Sequence, residues 1–474
     1  MLKNSQNIFS FIKSAFSEEE SITPTKSVIK WLEKRNEQVS IHIEKVKFYE
    51  LKQWKYDEYS GSLRHDSGKF FSIDGIKVST NWGNVNEWEQ PIINQPEVGY
   101  LGIITKEFNG TLHFLMQAKI EPGNVNYVQL SPTLQATKSN YTQVHKGKKP
   151  HYLDFFRNAE PDQILLDQLQ SEQGGRFLKK RNRNIIIKVD EEIEVKDDFI
   201  WLTLAQLKKL MNFDNLVNMD TRTVISGIPY GSYDEDVVGL FKFFGYQGNN
   251  NIGRKFLASA LLENSLHTND EVIQFITRLK SYYELEVERV SLKEIDDWVY
   301  TPSEIKHKEN KYFKVIPVQV EIGNREVVSW SQPMVQPTQD GLCAFVCKEI
   351  NGVLHFVVQA KLECGNFDII ELAPTVQCLT GNYRDTKKGK LPFLDYVLNA
   401  PEEKTVFDAI QSEEGGRFFR EQNKNKIIVA GDEIPLELPE NYIWMTLNQL
   451  HTFLKYNNYL NIQARSLISA ISFI

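Results

Sequence analysis

The chain repeats itself at a spacing of 242 residues, and this duplication limits its fold more than any other feature of the sequence. Residues 88–147 align without gaps on residues 330–389, with 25 identities among the 60 positions. Chance would give roughly 4 identities at ordinary residue frequencies. Solenoid repeats are excluded because their units are only about 20–50 residues long. The sequence therefore predicts two copies of one domain.

The likeness between the copies extends to both sides of this segment. Upstream, His65 and Phe71 match His307 and Phe313; downstream, SEQGGRF at 171–177 matches SEEGGRF at 412–418, and WLTLAQL at 201–207 matches WMTLNQL at 444–450. Residues 227–253 are rich in Gly, Asn and Tyr without apolar periodicity, which is typical of a linker. We predict a first copy over 1–240, with an N-terminal helical extension, and a second over 250–474.

Composition excludes several functional classes. Of the 474 residues, 41% are hydrophobic and 25% are charged, with a net charge of -7, so an ordinary globular protein is expected rather than a binder of nucleic acid. No apolar run approaches the roughly 18–20 residues of a membrane helix, and residues 1–20 lack the pattern of a secretory signal. These features predict a cytoplasmic protein that contacts neither membrane nor nucleic acid.

The four cysteines favour packing over metal binding. All lie in the second copy, where the first copy has Leu, Thr, Pro and Ala, and no Cys-x-x-Cys occurs. Buried thiols explain this pattern better than a metal site. Walker, Gly-x-Gly-x-x-Gly and Gly-x-Ser-x-Gly motifs are also absent from the sequence, so P-loop, dinucleotide-binding and hydrolase-elbow chemistries lack support.

The local patterns predict an α+β fold for each copy. Asn109-Gly110 separates two apolar runs, 99–106 and 112–120, and Asn351-Gly352 does the same in the second copy, which predicts a β-hairpin in each. Residues 161–173 and their counterpart 401–414 precede a Gly-Gly pair and are expected to be helices. A further helix is expected over 201–210, with Thr203 as its cap.

Polar residues shared by both copies are the candidate binding groups. Strand periodicity places Gln117, Lys119 and Glu121 on one face, and the second copy repeats them as Gln359, Lys361 and Glu363. Such a row suits a pocket wall for an anionic or hydroxyl-rich ligand. The alternative is a solvated sheet face with a cross-strand ion pair.

The SE(Q/E)GGRF motif is the second candidate. Its glycines allow close approach of a ligand and its arginine suits phosphate, whereas a helix cap with an arginine near the helix dipole is the alternative. Arg222 and Arg465 follow later in each copy and are either phosphate ligands or surface ion-pair partners. The candidate residues of the motif are Glu172, Gly175, Arg176, Glu413, Gly416 and Arg417.

Other candidates are weaker, because each has an ordinary structural explanation. They are the Asn-Tyr pairs Asn140-Tyr141 and Asn382-Tyr383, the rim or core residues Trp88 and His65, and Thr133 and Thr375. The copies differ where one site has changed: the first has Gln129, Ser131, His145 and His151, and the second has Glu371, Ala373, Lys387 and Phe393.

These motifs resemble those of the NDP-hexose 2,3-dehydratase family. The resemblance is carried by QAKIEPGN, VQLSPTLQATKSNYTQVHKGK, SEQGGRFLKKRNRN and WLTLAQL, with LAPT, Asn-Tyr and SEEGGRF repeated in the second half. It covers the chain from about residue 31 to the C-terminus and implies two Nudix-like mixed α/β domains, each with a nucleotide-sugar pocket, in a homodimer. The resemblance implies no metal and no other cofactor, and neither copy contains the Glu-rich Nudix box that would hold metal for diphosphate hydrolysis.

The resemblance implies a lyase acting on dTDP-4-keto-6-deoxy-D-glucose. Such enzymes remove the C3 proton and the C2 hydroxyl, and a downstream 3-ketoreductase reduces the 3,4-diketo-2,6-dideoxy product. The implied proton acceptor is Glu121, Glu172, His145 or Tyr141; Lys119 or Gln117 would stabilise the enolate, and Arg176 or Arg222 would bind diphosphate. Ser131 and His145 favour the first copy as the chemical site, while Glu371 is a candidate base in the second.

Two other functions are compatible with the sequence. A nucleotide-sugar binding protein without catalysis would retain the same pockets, and a metal-dependent nucleoside diphosphate hydrolase would share the Nudix-like fold. The sequence does not distinguish the configuration of the hexose, the nucleotide base or the final sugar.

Overall fold

The computed structural model of the chain describes residues 2–141, 149–231, 251–323, 329–380 and 391–474, and it has the predicted α+β class. The helices of the first copy are α1 Leu2–Phe16, α2 Thr25–Glu37, α3 Lys138–Tyr141, α4 Leu153–Arg157, α5 Leu204–Leu210 and α6 Met219–Ser226. Those of the second are α7 Ile252–Leu261, α8 Asn269–Tyr282, α9 Leu394–Leu398, α10 Leu447–Leu454 and α11 Ile462–Ala470. Short 3-10 turns lie at Phe48–Glu50 and Glu402–Lys404.

Twelve strands belong to each copy within the described residues. The first copy has β1 Ile41–Lys45, β2 Trp54–Asp57, β3 Ser62–His65, β4 Ser72–Thr80, β5 Glu87–Asn94, β6 Gly99–Phe108, β7 Thr111–Ile120, β8 Val128–Ser131, β9 Leu134–Ala136, β10 Ile164–Ser171, β11 Arg181–Lys188 and β12 Phe199–Thr203. The second has β13 Leu285–Val290, β14 Trp298–Tyr300, β15 Ile305–His307, β16 Phe313–Ile322, β17 Ser329–Pro337, β18 Gly341–Ile350, β19 Val353–Lys361, β20 Glu371–Ala373, β21 Val376–Leu379, β22 Thr405–Ser412, β23 Gln422–Ala430 and β24 Tyr442–Thr446.

A seven-stranded mixed sheet forms the larger part of each copy. In the first copy the order is β10-β11-β6-β7-β12, with β8 on β7 and β9 on β6; β11 and β6 run parallel and the other pairs are antiparallel. The second copy repeats this order with β22-β23-β18-β19 as its centre. The predicted hairpins are confirmed, since Asn109 and Gly110 have φ of 51° and 74° and Asn351 and Gly352 have φ of 52° and 80°.

Two predicted helices are wrong, because the segments 161–173 and 401–414 contain strands β10 and β22. Each strand pairs antiparallel with the following one and has an irregular register near its start, between Ile164 and Leu166 and between Thr405 and Phe407. Their short apolar runs fit both periodicities, and pairing with the neighbouring strand decides the outcome. The predicted helix 201–210 begins too early: strand β12 includes Trp201, and the helix starts after Thr203, whose side chain accepts the cap hydrogen bond from Gln206 N.

The two copies exchange one strand. Strand β1 of the first copy pairs with β16 of the second, from Ile41 opposite Ile322 to Lys45 opposite Val318. Its counterpart β13 pairs with β4 of the first copy, from Leu285 opposite Thr80 to Val290 opposite Gly75. Each five-stranded sheet is therefore completed by the other copy.

The main hydrophobic core also crosses between the copies. It contains residues of β7, α5 and α6 together with residues of β19, α10 and α11, and helices α6 and α11 pack against each other. Helices α1 and α2 join the same core and correspond in order to α7 and α8, so the N-terminal helices are part of the repeated unit. None of the described helices is long and apolar enough to cross a membrane.

Candidate functional site

A cavity of about 820 Å³ lies between the first copy's seven-stranded sheet and loops of the second copy. Its charged lining holds five cationic residues and five carboxylates, and aromatic side chains fill part of the remaining wall. The cations are Lys52, Lys119, Lys149, Lys180 and Arg417; the carboxylates are Glu121, Glu172, Asp198, Asp220 and Glu414; and the aromatic residues include Trp54, Phe71 and Trp330. A concave site of this size and mixed chemistry suits a small ligand with both charged and planar parts.

The predicted polar face of strand β7 lines this cavity. Gln117, Lys119 and Glu121 all contribute to it. Lys119 Nζ donates to the backbone oxygen of Gln135 at 3.0 Å, and Gln135 Nε2 donates to Glu121 Oε1 at 2.7 Å. Asn218 Nδ2 donates in turn to Gln135 Oε1 at 3.2 Å. This chain of hydrogen bonds fixes the lysine and the carboxylate in one orientation.

The second copy repeats that network around its own strand β19. Lys361 Nζ donates to Gln377 O at 2.9 Å, Gln377 Nε2 donates to Glu363 Oε1 at 3.0 Å, and Asn461 Nδ2 donates to Gln377 Oε1 at 2.7 Å. Gln359 is buried beside them. The polar framework is therefore preserved in both copies, although the residues around it differ.

Each Gly-Gly-Arg loop reaches across to the other copy rather than to its own sheet. Gly123 N donates to Gly415 O at 2.7 Å, and Gly365 N donates to Gly174 O at the same distance. A Cβ on Gly123 would lie 1.7 Å from the backbone oxygen of Phe418, so only glycine fits this contact. The loop of the second copy consequently forms part of the first copy's cavity.

The arginines of these loops follow the same exchange. Arg417 and Gly416 line the first-copy cavity, where the Arg417 guanidinium lies 4.2 Å from the ring centre of Phe71. Arg176 lies over Phe313 of the second copy, also at 4.2 Å, and Gly175 O accepts from Gln90 Nε2 at 3.2 Å. Arg417 Nε is buried without a hydrogen-bond partner among the described residues, which leaves a donor for a ligand at the cavity.

Three carboxyl groups at the cavity have perturbed acidity. Burial raises the pKa of Glu172, against the nearby charge of Lys180 and a hydrogen bond from Asn182 Nδ2 to Glu172 Oε1 of 2.6 Å. Burial likewise raises the pKa of Asp220 well above its usual range, and the charges of Glu172 and Glu121 raise it further. Burial and the Glu121 charge raise the pKa of Glu414 to about 7. Carboxyl groups with raised pKa values suit acid–base chemistry.

The two copies differ at three ionisable positions of this framework. Where the first-copy cavity has Lys180, Asp220 and Glu414, the equivalent positions around the second sheet hold Glu421, Gln463 and Gln173. At these positions the first-copy cavity has two carboxyls and a lysine, where its counterpart has two amides and one carboxyl.

The buried arginines lie away from the cavity. Arg222 and Arg465 are each 1% exposed at the contact between the copies. Arg222 donates to Ser412 O and Ser466 Oγ, and Arg465 donates to Ser171 O and to Leu460 O at 2.6 Å. Their guanidinium groups donate hydrogen bonds to backbone and hydroxyl oxygens of both copies. The structure therefore favours a role in joining the two copies over contact with a ligand.

The remaining predicted residues fall into three groups. His65 and Thr133 line the cavity, and Trp330 lines it instead of Trp88. Ser131, Tyr141, Thr375 and Glu413 lie outside its lining; Ser131 Oγ accepts from Asn218 Nδ2 at 2.8 Å, Tyr141 packs on Tyr100, Thr375 Oγ1 accepts from Val346 N at 2.9 Å, and Glu413 accepts from Asn423. The positions of His145, Asn382 and Tyr383, and the side chain of Asn140, lie outside the described residues.

Sequence reasoning did not select Asp220, Glu414, Lys180, Gln135 or Asn182. It searched for residues shared by the copies, whereas Asp220, Glu414 and Lys180 are positions where the copies differ. The SEQ/SEE difference at Gln173 and Glu414 was the available signal. Gln135 and Asn182 are shared by both copies, as Gln377 and Asn423, but their importance comes from contacts that only the fold reveals.

Cys343, Cys347 and Cys364 are buried and Cys378 is half-buried, and burial raises the pKa of each thiol. These environments suit packed, unreactive thiols. Within the described ranges no group of three or more His, Cys, Asp or Glu residues is arranged to hold a metal ion.

Glu371 offers a test of buried charge outside the cavity. Its Oε2 accepts from Ser171 Oγ at 2.8 Å, as Gln129 Oε1 accepts from Ser412 Oγ at 2.7 Å in the first copy. Burial raises the pKa of Glu371 from 4.5 to about 7. The protonated Glu371 carboxyl therefore contributes its full stabilisation below pH 4.5, and this contribution is lost as the pH rises through 7.

Glu371→Gln is expected to stabilise the protein at pH 8 by up to about 3 kcal/mol, because it removes a buried negative charge while keeping the hydrogen bond. At pH 4 the two proteins should unfold with equal free energy, since both side chains are then neutral. Urea unfolding of both proteins at the two pH values measures this difference. A constant difference at both would contradict burial of the charge as its cause.

Comparison with known proteins gives matches to both copies of the chain. A family model described as NDP-hexose 2,3-dehydratase matches residues 25–228 and 269–471, that is, both copies. A dTDP-4-dehydro-6-deoxy-alpha-D-glucopyranose 2,3-dehydratase of Saccharopolyspora spinosa is 44% identical over 98% of this chain and 95% of its own length. Proteins of the same name from Amycolatopsis orientalis and Streptomyces violaceoruber are 39% and 41% identical, over 94% and 95% of this chain and 90% and 97% of their own lengths.

Proposed function

We propose that this chain, which belongs to the NDP-hexose 2,3-dehydratase family, is a lyase that removes water across C2–C3 of dTDP-4-keto-6-deoxy-D-glucose. The observation that carries the proposal is the near full-length likeness to relatives with that named activity, over both copies. The product is a 3,4-diketo-2,6-dideoxy sugar nucleotide, an intermediate in deoxysugar biosynthesis.

The chemistry of the substrate explains why the cavity needs acids, bases and cations. The C3 hydrogen is acidic because it lies next to the C4 ketone, so a general base of moderate pKa can remove it. Negative charge then develops on the C4 oxygen, which Lys119 is placed to stabilise as a fixed cationic donor. The C2 hydroxyl leaves as the double bond forms, and the enol product tautomerises to the diketone.

We assign the reaction to the first-copy cavity. It holds Lys119, Glu121 and Glu172 together with Asp220 and Glu414, whose equivalents around the second sheet are the amides Gln463 and Gln173. The diphosphate of the substrate would bind Arg417 from the second copy, whose Nε has no partner among the described residues. Trp54, Phe71 and Trp330 supply flat apolar surface for the nucleoside or the sugar.

Further parts of the proposal concern the setting of the enzyme. We propose that each half is Nudix-like, which agrees with a mixed sheet that has helices of the same copy against it. We also propose a homodimer in the cytoplasm, with a separate 3-ketoreductase that consumes the diketo product. That product is reactive, so the class of enzyme that must follow is a reductase of the C3 ketone.

The decisive experiment incubates the protein with dTDP-4-keto-6-deoxyglucose, a 3-ketoreductase and NADPH. Consumption of NADPH and formation of a 2-deoxy sugar nucleotide are expected. If dTDP binds while the keto sugar stays unchanged, the protein is a nucleotide-sugar binding protein. Release of phosphate or nucleoside monophosphate in the presence of Mg²⁺ would instead indicate a diphosphate hydrolase.

A further inference from the structure

Two carboxyl groups at the first-copy cavity keep an oxygen without a hydrogen-bond partner. Asp220 is 3% exposed, and its Oδ1 has no partner among the described residues; the same holds for Glu414 Oε2. By contrast, Glu121 and Glu172 each accept a hydrogen bond from an amide side chain. Buried carboxyl oxygens without partners are costly, so their presence at a cavity points to groups that a ligand satisfies.

The two groups come from different copies. Asp220 lies in the first turn of helix α6, two residues after the cap residue Asn218, whose side chain donates to Gln135 of the sheet network. Glu414 lies on the Gly-Gly-Arg loop of the second copy, where its Oε1 accepts from Gly416 N at 2.9 Å. The contact between Gly123 and Gly415 brings this loop to the cavity.

The first-copy cavity has the pair Asp220 and Glu414, and the framework around the second sheet has no such pair at the equivalent positions. The equivalent residues on the other side are Gln463 and Gln173, whose amides cannot exchange protons near neutral pH. The shared network around Gln135 and Gln377 is kept in both, so the two sites differ in acid–base groups on the same hydrogen-bonded framework.

We propose that Glu414 accepts the C3 proton and that Asp220 donates a proton to the departing C2 hydroxyl. This inference rests on the proposed function and adds to it two residues that sequence reasoning did not select. It also makes the second copy a direct participant in the reaction of the first.

The charges around the pair favour this division of roles. Burial raises the pKa of Asp220 well above its usual range, and Glu172, Glu121 and Glu414 add repulsion that Lys119 partly opposes. Burial and repulsion from Glu121 and Glu172 raise the pKa of Glu414 to about 7, against the charge of Arg417. Three carboxyls oppose ionisation of Asp220, whereas the charge of Arg417 favours ionisation of Glu414, so Asp220 holds the proton when the two groups share one.

The proton transfers balance without any other reactant. The Glu414 carboxylate takes the proton from C3, and the C–H electron pair forms the enolate of C3 and C4. When the enolate collapses, the C2–O bond breaks, the C2–C3 double bond forms, and the Asp220 proton converts the leaving hydroxyl to water. Tautomerisation then moves a proton from the C3 hydroxyl to C2, and a return transfer through the two carboxyls restores their starting states.

The test separates the two steps with a substrate that carries deuterium at C3. Glu414→Gln is expected to lower both elimination and loss of deuterium to solvent by about 100-fold or more. Asp220→Asn should lower elimination to a similar extent yet still release deuterium from recovered substrate. A 2-fluoro analogue should restore elimination in Asp220→Asn alone, because fluoride leaves without needing a proton.

The equivalent position at the second site supplies the matched control, Gln173→Ala on the first copy's loop, which should keep wild-type activity. Glu414→Asp retains a carboxyl and should show measurable deuterium loss, which guards against a folding defect in Glu414→Gln; dTDP affinity checks the cavity in each variant. Rapid deuterium loss in Glu414→Gln would overturn the inference, and so would a failure of Asp220→Asn to eliminate fluoride from the 2-fluoro analogue. An inactive wild-type protein would instead refute the proposed function itself.

Discussion

Arg417→Gln is expected to lower kcat/KM for dTDP-4-keto-6-deoxyglucose about a thousandfold, although Arg417 belongs to the second copy. The guanidinium lines the first-copy cavity over Phe71 and has a buried Nε without a partner in the described chain. Two charge-assisted hydrogen bonds to a diphosphate contribute about 1.5–3 kcal/mol each, and about 4 kcal/mol corresponds to a thousandfold change. Steady-state kinetics with the coupled reductase measures the loss, which should appear mainly in KM.

Arg176→Gln is the matched control for this prediction. Arg176 occupies the equivalent position on the first copy's loop. Its guanidinium also lies 4.2 Å from a phenylalanine ring and its Nε is also buried, but it faces the second copy. Its replacement should change kcat/KM by less than about threefold if the reaction is confined to the first-copy cavity. Equal losses in the two variants would show that both cavities contribute, and no loss in Arg417→Gln would remove its role in binding diphosphate.

Arg222→Ala is expected to destabilise the protein by about 3–5 kcal/mol, because buried oxygens lose their donor and a cavity opens. The side chain is 1% exposed and donates to Ser412 O and Ser466 Oγ of the second copy and to Asn218 O of the first at 3.4 Å. Alanine leaves these oxygens buried without their donor and creates a cavity at the contact between the copies. Urea unfolding measures the change in free energy.

Arg278→Ala is the comparison for this stability effect. Arg278 is exposed and pairs with Glu440 at 3.3 Å, so its loss should change the free energy of unfolding by less than about 1 kcal/mol. The sequence suggested that Arg222 binds substrate. A variant of Arg222 with unchanged stability but much weaker dTDP binding would support that earlier interpretation and contradict the joining role.

Local patterns predicted the parts of the fold that local chemistry determines. Asn109-Gly110 and Asn351-Gly352 adopt the positive φ values that a tight hairpin requires, and Thr203 caps the helix that follows it. The segment 164–171 was misassigned because its few apolar residues fit the period of a strand and that of a helix. Its antiparallel pairing with the next strand, Arg181–Lys188, decides the outcome, and the apolar period of the segment alone does not reveal that pairing.

The sequence predicted the part of the candidate site that the first copy's strand supplies, but not the part that the second copy's loop supplies. The alternation along Thr111–Ile120 placed Lys119 and Glu121 together, and the structure puts both at the cavity. Repetition alone does not say which copy a loop contacts, so the sequence assigned Arg176 where the structure supplies Arg417. Asp220 and Glu414 were overlooked because comparison of the copies emphasised what they share, while acid–base chemistry is found where they differ.

The exchange of strands β1 and β13 has a consequence for how such a chain arose and how it can change. A single-copy ancestor with this fold would have completed its smaller sheet only with a strand from a second molecule, as an intertwined pair with two equal sites. In the single chain the two sites are no longer equal, since one has Gln173 and Gln463 where the other has Glu414 and Asp220. The second site can therefore change in chemistry, but the second copy cannot be lost, because the first-copy site depends on its loop and its strand.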